Sequence, residues 1–246
     1  MTTFKPPTEW TPPDVFPTEL LVNAKEVAID TETRDPNLKE KGPGYIRGDG
    51  EIVGISFACD GFEGYFPFAH ESGFNFPKNK VISFAKKVCA SNSDKIFHNA
   101  SYDMGWLGSE GIKVNGRIID TMVVAPLIDE NQYWYTLNAL GREYVNEGKT
   151  EAELNAAAEE WGLDPKAEMW RLPSAYVGTY ATQDAALTLK LWNHFKTLIE
   201  EQNLWNIFDL EMEVLPVLYE MKKKGVRVDT ERAETIKRQL IKQEKE

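Results

Sequence analysis

The chain predicts an α/β fold, a mixed β-sheet with α-helices packed on it. Three observations carry this expectation. Residues 26–32, EVAIDTE, are a short, mostly apolar run that reads as a buried strand. Residues 51–59 and 63–68 read as two more strands, joined by Asp60-Gly61, a hairpin signal. Strand and helix patterns then alternate: VISFAKKVCA at 81–90 has helical apolar spacing and KIFHN at 95–99 is a short strand. From about 101 the pattern is mostly helical, broken by an extended VNGRIID at 114–120.

Around these elements the chain divides into three expected parts. Residues 1–22 form a proline-rich arm holding Pro6, Pro7, Pro12, Pro13 and Pro17, with Phe4, Trp10 and Phe16 between them. Proline excludes a regular helix there, so the expectation is an extended arm whose aromatics lie on the core; a proline-rich ligand for a partner is the alternative. Residues 23–204 form the main domain, in which RDPNLKEKGPGYIRGDG at 34–50 reads as a long polar loop. Near residue 205 the character changes. A helix-patterned LEMEVLPVLYEMKKKG stops at Gly225, VRVD follows, and a charged helix from about Thr230 runs to the C-terminus. Residues 205–246 therefore read as the helical start of a further module.

Composition limits the function classes. The 246 residues are 42% hydrophobic and 11% aromatic, ample for a globular core. No apolar run approaches membrane-span length, and the N-terminus lacks a signal-peptide pattern, so a cytoplasmic protein is expected. Cys59 and Cys89 belong to no metal or redox motif and are expected to be reduced and structural. The net charge is −11, and it is unevenly spread. Residues 221–246 carry nine basic and five acidic side chains, +4, which leaves −15 on residues 1–220. Such a body repels phosphate unless cations intervene.

Three acidic motifs point to those cations. Asp30 and Glu32 are two apart on the first strand, so both side chains project from one face. Like charges so close are costly without a neutralising partner, although a strand end meeting solvent gives the same pattern. Asp103, in HNASYDMGWL, falls in the first turn of a helix that Asn99 or Ser101 can cap, where the helix dipole favours an anion; an ordinary first-turn acid reads the same way. Asp184, in YATQDAALTLKLW, shares one helix face with Tyr180, Leu187 and Leu191, unless that helix is rotated to leave it half exposed. Taken together, four carboxylates are hard oxygen ligands suited to Mg²⁺ or Mn²⁺. Two such ions can stabilise the attacking and leaving oxygens of a phosphodiester hydrolysis.

D-x-E, then N-x-x-x-D, then Y-x-x-x-D, in this order, resembles the DEDD exonuclease superfamily of the ribonuclease-H-like fold. Tyr180, four residues before Asp184, places the resemblance in its tyrosine branch. IIDTMVVAPLIDE at 118–130 and EMEVLPVLYEMKKKGVRVD at 211–229 are similar to segments of the proofreading exonuclease of phage-type family A DNA polymerases. The resemblance implies a two-metal 3′→5′ exonuclease that releases nucleoside 5′-monophosphates from a single-stranded DNA 3′ end. It implies that Asp30 bridges both metals. Glu32 and Asp184 would hold the metal that activates water, and Asp103 would serve the other through water. Tyr180 would orient the attacking water, and Thr33 and Asn99 would contact the terminal nucleotide. It also implies a C-terminal polymerase partner, in the host cytoplasm if phage-encoded. An RNA-trimming exonuclease and an inactive scaffold are the rival expectations.

Several features lie outside the motifs. Pro36 or Leu38 would have to serve as the apolar wedge against the last base. Residues 147–173 read as helical packing with Trp161 and Trp170 in the core. The aromatics at 133–135 read as core or as a stacking surface for bases.

Overall fold

The computed structural model describes residues 8–245; Phe4, Pro6 and Pro7 of the arm lie outside the described residues. Five strands form one sheet in the order β3-β2-β1-β4-β5: β1 Glu26–Arg34, β2 Glu51–Cys59, β3 Phe62–Pro67, β4 Asp94–Phe97 and β5 Ile118–Asp120. The first three pair antiparallel, with the hairpin turn at Asp60-Gly61 as expected, while β4 and β5 join β1 in parallel. The sheet is thus mixed because a short turn permits only antiparallel return, and the helical crossovers permit parallel pairing.

The helices occupy both faces. In chain order they are α1 Thr18–Asn23, α2 Leu38–Lys41, α3 Gly44–Arg47, α4 Lys78–Ala90, α5 Ala100–Ser109, α6 Thr121–Ile128, α7 Leu137–Tyr144, α8 Ala152–Trp161, α9 Ser174–Glu201, α10 Trp205–Lys224 and α11 Thr230–Lys245. Alternation along β1 sorts the two faces. Val27 and Ile29 pack with Leu21, Phe84, Val88 and Trp106 from α1, α4 and α5. Ala28 packs with Val124, Leu140, Leu191 and Phe208 from α6, α7, α9 and α10. By the same two-residue period, Asp30 and Glu32 continue the Ala28 face and look toward α9.

Several expectations gain detail here. The loop at 34–50 is not featureless, since it contains the one-turn helices α2 and α3. Asp35 ties it down: its carboxylate accepts hydrogen bonds from the Gly44 amide and the Tyr102 hydroxyl. In the arm, Phe16 stacks into a cluster with Phe66, Phe76 and Phe84, and Trp10 lies against Tyr65, so the described aromatics do rest on the core. Asn99 and Ser101 do not cap α5 through their side chains. Asp120, at the end of β5, does so instead. It accepts from the Asn99 and Ala100 amides at 2.9 and 2.8 Å and from Met122 at the start of α6 at 2.9 Å. One carboxylate therefore serves two helix N-termini, where free amides and the helix dipoles favour an anion.

One glycine is required by a close approach. Gly54 pairs with Glu32 across the β1–β2 ladder, and the ring of the fully buried Tyr65 lies against its Cα. A Cβ there would penetrate the phenol ring. Gly54→Ala is expected to destabilise the fold by about 1–3 kcal/mol, the range for overpacking a core, read as a lower urea midpoint with unchanged slope. An unchanged midpoint would show that Tyr65 has room to move.

Candidate active site

The cleft of interest opens where β1 and β4 end. It has a volume of about 230 Å³ and is lined by Asp30, Glu32, Thr33, His98, Asn99, Tyr102, Asp103, Lys149, Lys166, Met169, Tyr180 and Asp184, with Thr31 beneath. Ligands in open α/β sheets collect outside the carboxyl ends of parallel strands for the same reason: strand ends and helix N-termini converge there.

Each acid arrives by a different route. Asp30 and Glu32 come from β1, whose pairing with β2 shifts between Glu32 and Thr33, where Val53 of β2 is the extra, unpaired residue. Thr33, just past that shift, lines the cleft, and its hydroxyl meets the Tyr102 hydroxyl at 2.9 Å. Asp103 sits in the first turn of α5 with one oxygen, Oδ1, accepting from the Thr31 amide at 3.0 Å and the Thr31 hydroxyl at 2.6 Å. Asp184 comes from α9, whose inward stripe of Tyr180, Asp184, Leu187 and Leu191 is buried throughout, so the helix is not rotated away. Asn99 takes a left-handed backbone conformation, φ 78°, at the head of α5.

Asp30, Glu32 and Asp184 form the tight cluster, each offering an oxygen within 4.8 Å of the others. Asp103 lines the same cleft but stands outside that triangle. Two oxygens in the triangle, Glu32 Oε1 and Asp184 Oδ1, are buried without a hydrogen-bond partner. An orphaned buried carboxylate oxygen is costly, and three hard oxygen donors at this spacing fit a divalent cation such as Mg²⁺ or Mn²⁺.

The electrostatics say the same. Burial, then the neighbouring Asp184 charge, pushes the Asp30 carboxyl up to about 7. Glu32 is held well above the usual range by burial and then by Asp30. Asp103 and Asp184 are also raised, foremost by burial. Burial and the adjacent Asp184 raise the Tyr180 phenol, so it stays protonated at neutral pH. His98 is held down to about 4 by burial and the nearby Lys149 charge, and is neutral.

Sequence reasoning missed the cation. Lys149, from the segment between α7 and α8, reaches into the cleft, where Nζ donates to Asp184 Oδ2 at 2.6 Å and to the Tyr180 hydroxyl at 3.2 Å. Its contacts lie 31 and 35 residues away, beyond any local pattern. Lys166 and Met169 line the cleft from the same stretch, so residues 147–173 do more than pack. Trp161 and Trp170 are half-buried rather than core, Trp170 lying under the Arg34 guanidinium at 4.6 Å. Pro36 and Leu38 are exposed and do not line the cleft, whose apolar wall is Met169. At 133–135 only Tyr135 is partly buried, while Tyr133 and Trp134 are 86% and 63% exposed.

A family model for the 3′–5′ exonuclease domain of DNA polymerase A matches residues 18–200. The chain belongs to this exonuclease family. A DNA-directed DNA polymerase of Pseudomonas phage M6 is 38% identical over 243 residues, 97% of this chain and 37% of that protein. DNA polymerase I of Borreliella burgdorferi is 27% identical over 215 residues, 87% of this chain and 22% of that protein. The chain thus spans well under half the length of these curated relatives. Among solved structures, the POL domain of Pol1 from M. smegmatis, in complex with DNA primer-template and dNTP, superposes with a TM-score of 0.66. It is 15% identical and covers 95% of this chain and 35% of that one. Brucella melitensis NrnC with bound Mg²⁺ gives 0.59 at 17% identity, covering 85% and 90%. These likenesses show a ribonuclease-H-like exonuclease fold. Among the described residues, no helix is long and apolar enough to cross a membrane.

The raised carboxyls make the exonuclease domain's metal-free stability depend on pH. Their folded values exceed the unfolded ones, so the cluster's contribution is intact below the unfolded Asp value of 3.8. It is lost as the pH rises through about 7, where Asp30 ionises in the folded state. In chelator near neutral pH, Asp30→Asn is expected to melt higher than the unaltered chain, and the gap should close on acidification. Mn²⁺ should reverse the order by stabilising only the chain that keeps Asp30. Equal melting curves for the two proteins at every pH would contradict the electrostatic account.

Proposed function

We propose that this exonuclease domain removes nucleotides from the 3′ end of single-stranded DNA by a two-metal hydrolysis, as the proofreading part of a family A DNA polymerase. The reading rests above all on one observation: Glu32 Oε1 and Asp184 Oδ1 are buried without partners, in a triangle completed by Asp30. Such a site is unfavourable as it stands and becomes favourable once a cation enters.

In this reading Asp30, Glu32 and Asp184 would hold one Mg²⁺ or Mn²⁺, and Asp30 would help to hold a second. Asp103, with Oδ1 already committed to Thr31, would help to hold that second ion. The bound cations would lower the pKa of water and neutralise charge on the scissile phosphate. Tyr180 contributes as a neutral hydroxyl. Lys149 can only donate, so the Tyr180 oxygen must accept from it, and the phenol proton points away from Lys149, towards Asp184 or water in the cleft. That suits a group that orients the attacking water and does not take its proton. In this reading Thr33 and Asn99, which line the cleft, would contact the terminal nucleotide. The products would be nucleoside 5′-monophosphates.

We further assign residues 1–22 as an arm, 23–204 as the exonuclease domain and 205–246 as the start of a polymerase module, acting in the cytoplasm where DNA is copied. The relatives' greater length and the Pol1 likeness support the last assignment.

The test is an end-labelled strand, offered as DNA and as RNA of matched sequence, with Mg²⁺, Mn²⁺ or chelator. Stepwise loss from the DNA 3′ end, abolished by chelator and by Asp30→Ala, is expected. Preferred trimming of RNA would move the assignment to an RNA-processing enzyme, and cleavage in chelator would sink the metal mechanism. Tyr180→Phe should lower kcat by about 10²-fold, the scale for misplacing a reacting group, while calorimetric Mn²⁺ affinity stays near that of the unaltered chain. A matching loss of Mn²⁺ affinity would assign the hydroxyl to the metal instead.

A further inference from the structure

Lys149 is the feature of the cleft that the acidic motifs leave without a role. Its ammonium bridges Asp184 Oδ2 and the Tyr180 hydroxyl, and its charge also sits 4.8 Å from the centre of the Tyr180 ring. The side chain is 14% exposed, so the contact is an enclosed one. Its backbone is held on α9 by an amide clamp. Gln183 Oε1 accepts from the Thr150 amide at 2.6 Å, and Gln183 Nε2 donates to the Gly148 carbonyl at 2.9 Å. Asn138, from α7, accepts the Lys149 amide itself at 3.0 Å. The clamp residue is the immediate neighbour of Asp184 on the same helix. Lysine and carboxylate are therefore referred to one rigid body, not to two independent loops.

The consequence for Asp184 is directional. An aspartate with two free oxygens can rotate about its last bond, and on its own would present either oxygen, or both, to the cleft. Here Oδ2 is taken by Lys149 while Oδ1 is left buried and unpartnered. We propose that Lys149 is a positioning residue: it fixes the Asp184 carboxylate so that Oδ1 faces the Asp30–Glu32 pair, and fixes Tyr180 so that its proton faces the reacting water. The assignment rests on the exonuclease reading of the cleft. Losing a partner that orients a metal-binding side chain in this way costs about 10- to 100-fold in metal affinity or activity.

Two other roles for the same ammonium make different predictions. A cation that merely fills the acidic site would compete with metal, so its removal would favour activity. A lysine that merely holds the fold together would weaken everything when removed. A positioning lysine does neither: its positive charge opposes a neighbouring metal ion, yet its hydrogen bonds are needed for turnover.

The experiment uses the 246-residue chain, Lys149→Met, Lys149→Arg and Gln183→Ala, with Mn²⁺ titrated by calorimetry and an end-labelled oligothymidylate as substrate. Lys149→Met is expected to lower kcat about 10- to 100-fold with KM for the strand nearly unchanged, while binding Mn²⁺ at least as tightly as the unaltered chain. Lys149→Arg should recover part of kcat. Gln183→Ala, which frees the segment but keeps the charge, should lower kcat without tightening Mn²⁺. Melting in the presence of Mn²⁺ checks that each variant folds, and Gln183→Ala and Lys149→Arg carry the test if Lys149→Met does not. The assignment is overturned by unchanged kcat in all three variants, by kcat that rises at low Mn²⁺ in Lys149→Met, or by parallel losses of Mn²⁺ affinity and kcat. If the unaltered chain cuts no DNA, the exonuclease reading falls and takes this assignment with it; if it cuts and the variants cut equally well, only the Lys149 assignment falls.

Discussion

Four carboxylates at the carboxyl end of one sheet's central strand repel one another, and burial removes the water that would otherwise screen them. Asp30, Glu32, Asp103 and Asp184 all have carboxyls raised by desolvation, and for Asp30, Glu32 and Asp103 neighbouring acid adds to the effect. Much of the surrounding architecture supports this arrangement. Thr31 spends both its amide and its hydroxyl on Asp103, and Lys149 takes one oxygen of Asp184. Asp120 holds the head of α5 so that Asp103 cannot drift. These contacts leave two oxygens of the Asp30–Glu32–Asp184 cluster, Glu32 Oε1 and Asp184 Oδ1, buried without a partner.

The acids were legible in the sequence because their geometry is local. A two-residue strand period places Asp30 and Glu32 together, and a four-residue helix period aligns Asp184 with Tyr180. The sheet was legible on the same terms, from apolar runs and one Asp-Gly turn. Lys149 was not, since nothing within a few residues of it distinguishes it from a surface lysine in GKTE. Its partners become neighbours only when α9 packs beside the segment that follows α7. The α5 cap was misread for a related reason. Asn99 and Ser101 stand where a cap is expected, but Asp120 arrives from β5 and takes the amides first. Local rules list the eligible donors and acceptors; tertiary packing decides which of them bond.

Residues 133–135 show the converse limit. The three aromatics read as core or as a stacking surface, and Tyr133 and Trp134 stand in solvent, edge to face with each other. The loop bearing them is not adrift. The Tyr135 carbonyl accepts from His98 Nε2 at 3.0 Å, and His98 lines the cleft. Burial keeps that histidine neutral, so the link is an uncharged one.

The α9 helix carries a constraint of another kind. It runs for 28 residues, with Tyr180, Gln183 and Asp184 near its start and Trp192, Phe195 and Ile199 anchored in the core farther along. Adding or deleting one residue between the two groups would turn the first by about 100° relative to the second, carrying Asp184 out of the cleft. The turns at 34–50 have no such phase to keep, whereas Gly148, Lys149 and Thr150 are pinned to Gln183 and Asn138. Among descendants of this chain, changes of length should therefore collect in those turns, while α9 can change its letters but not its count.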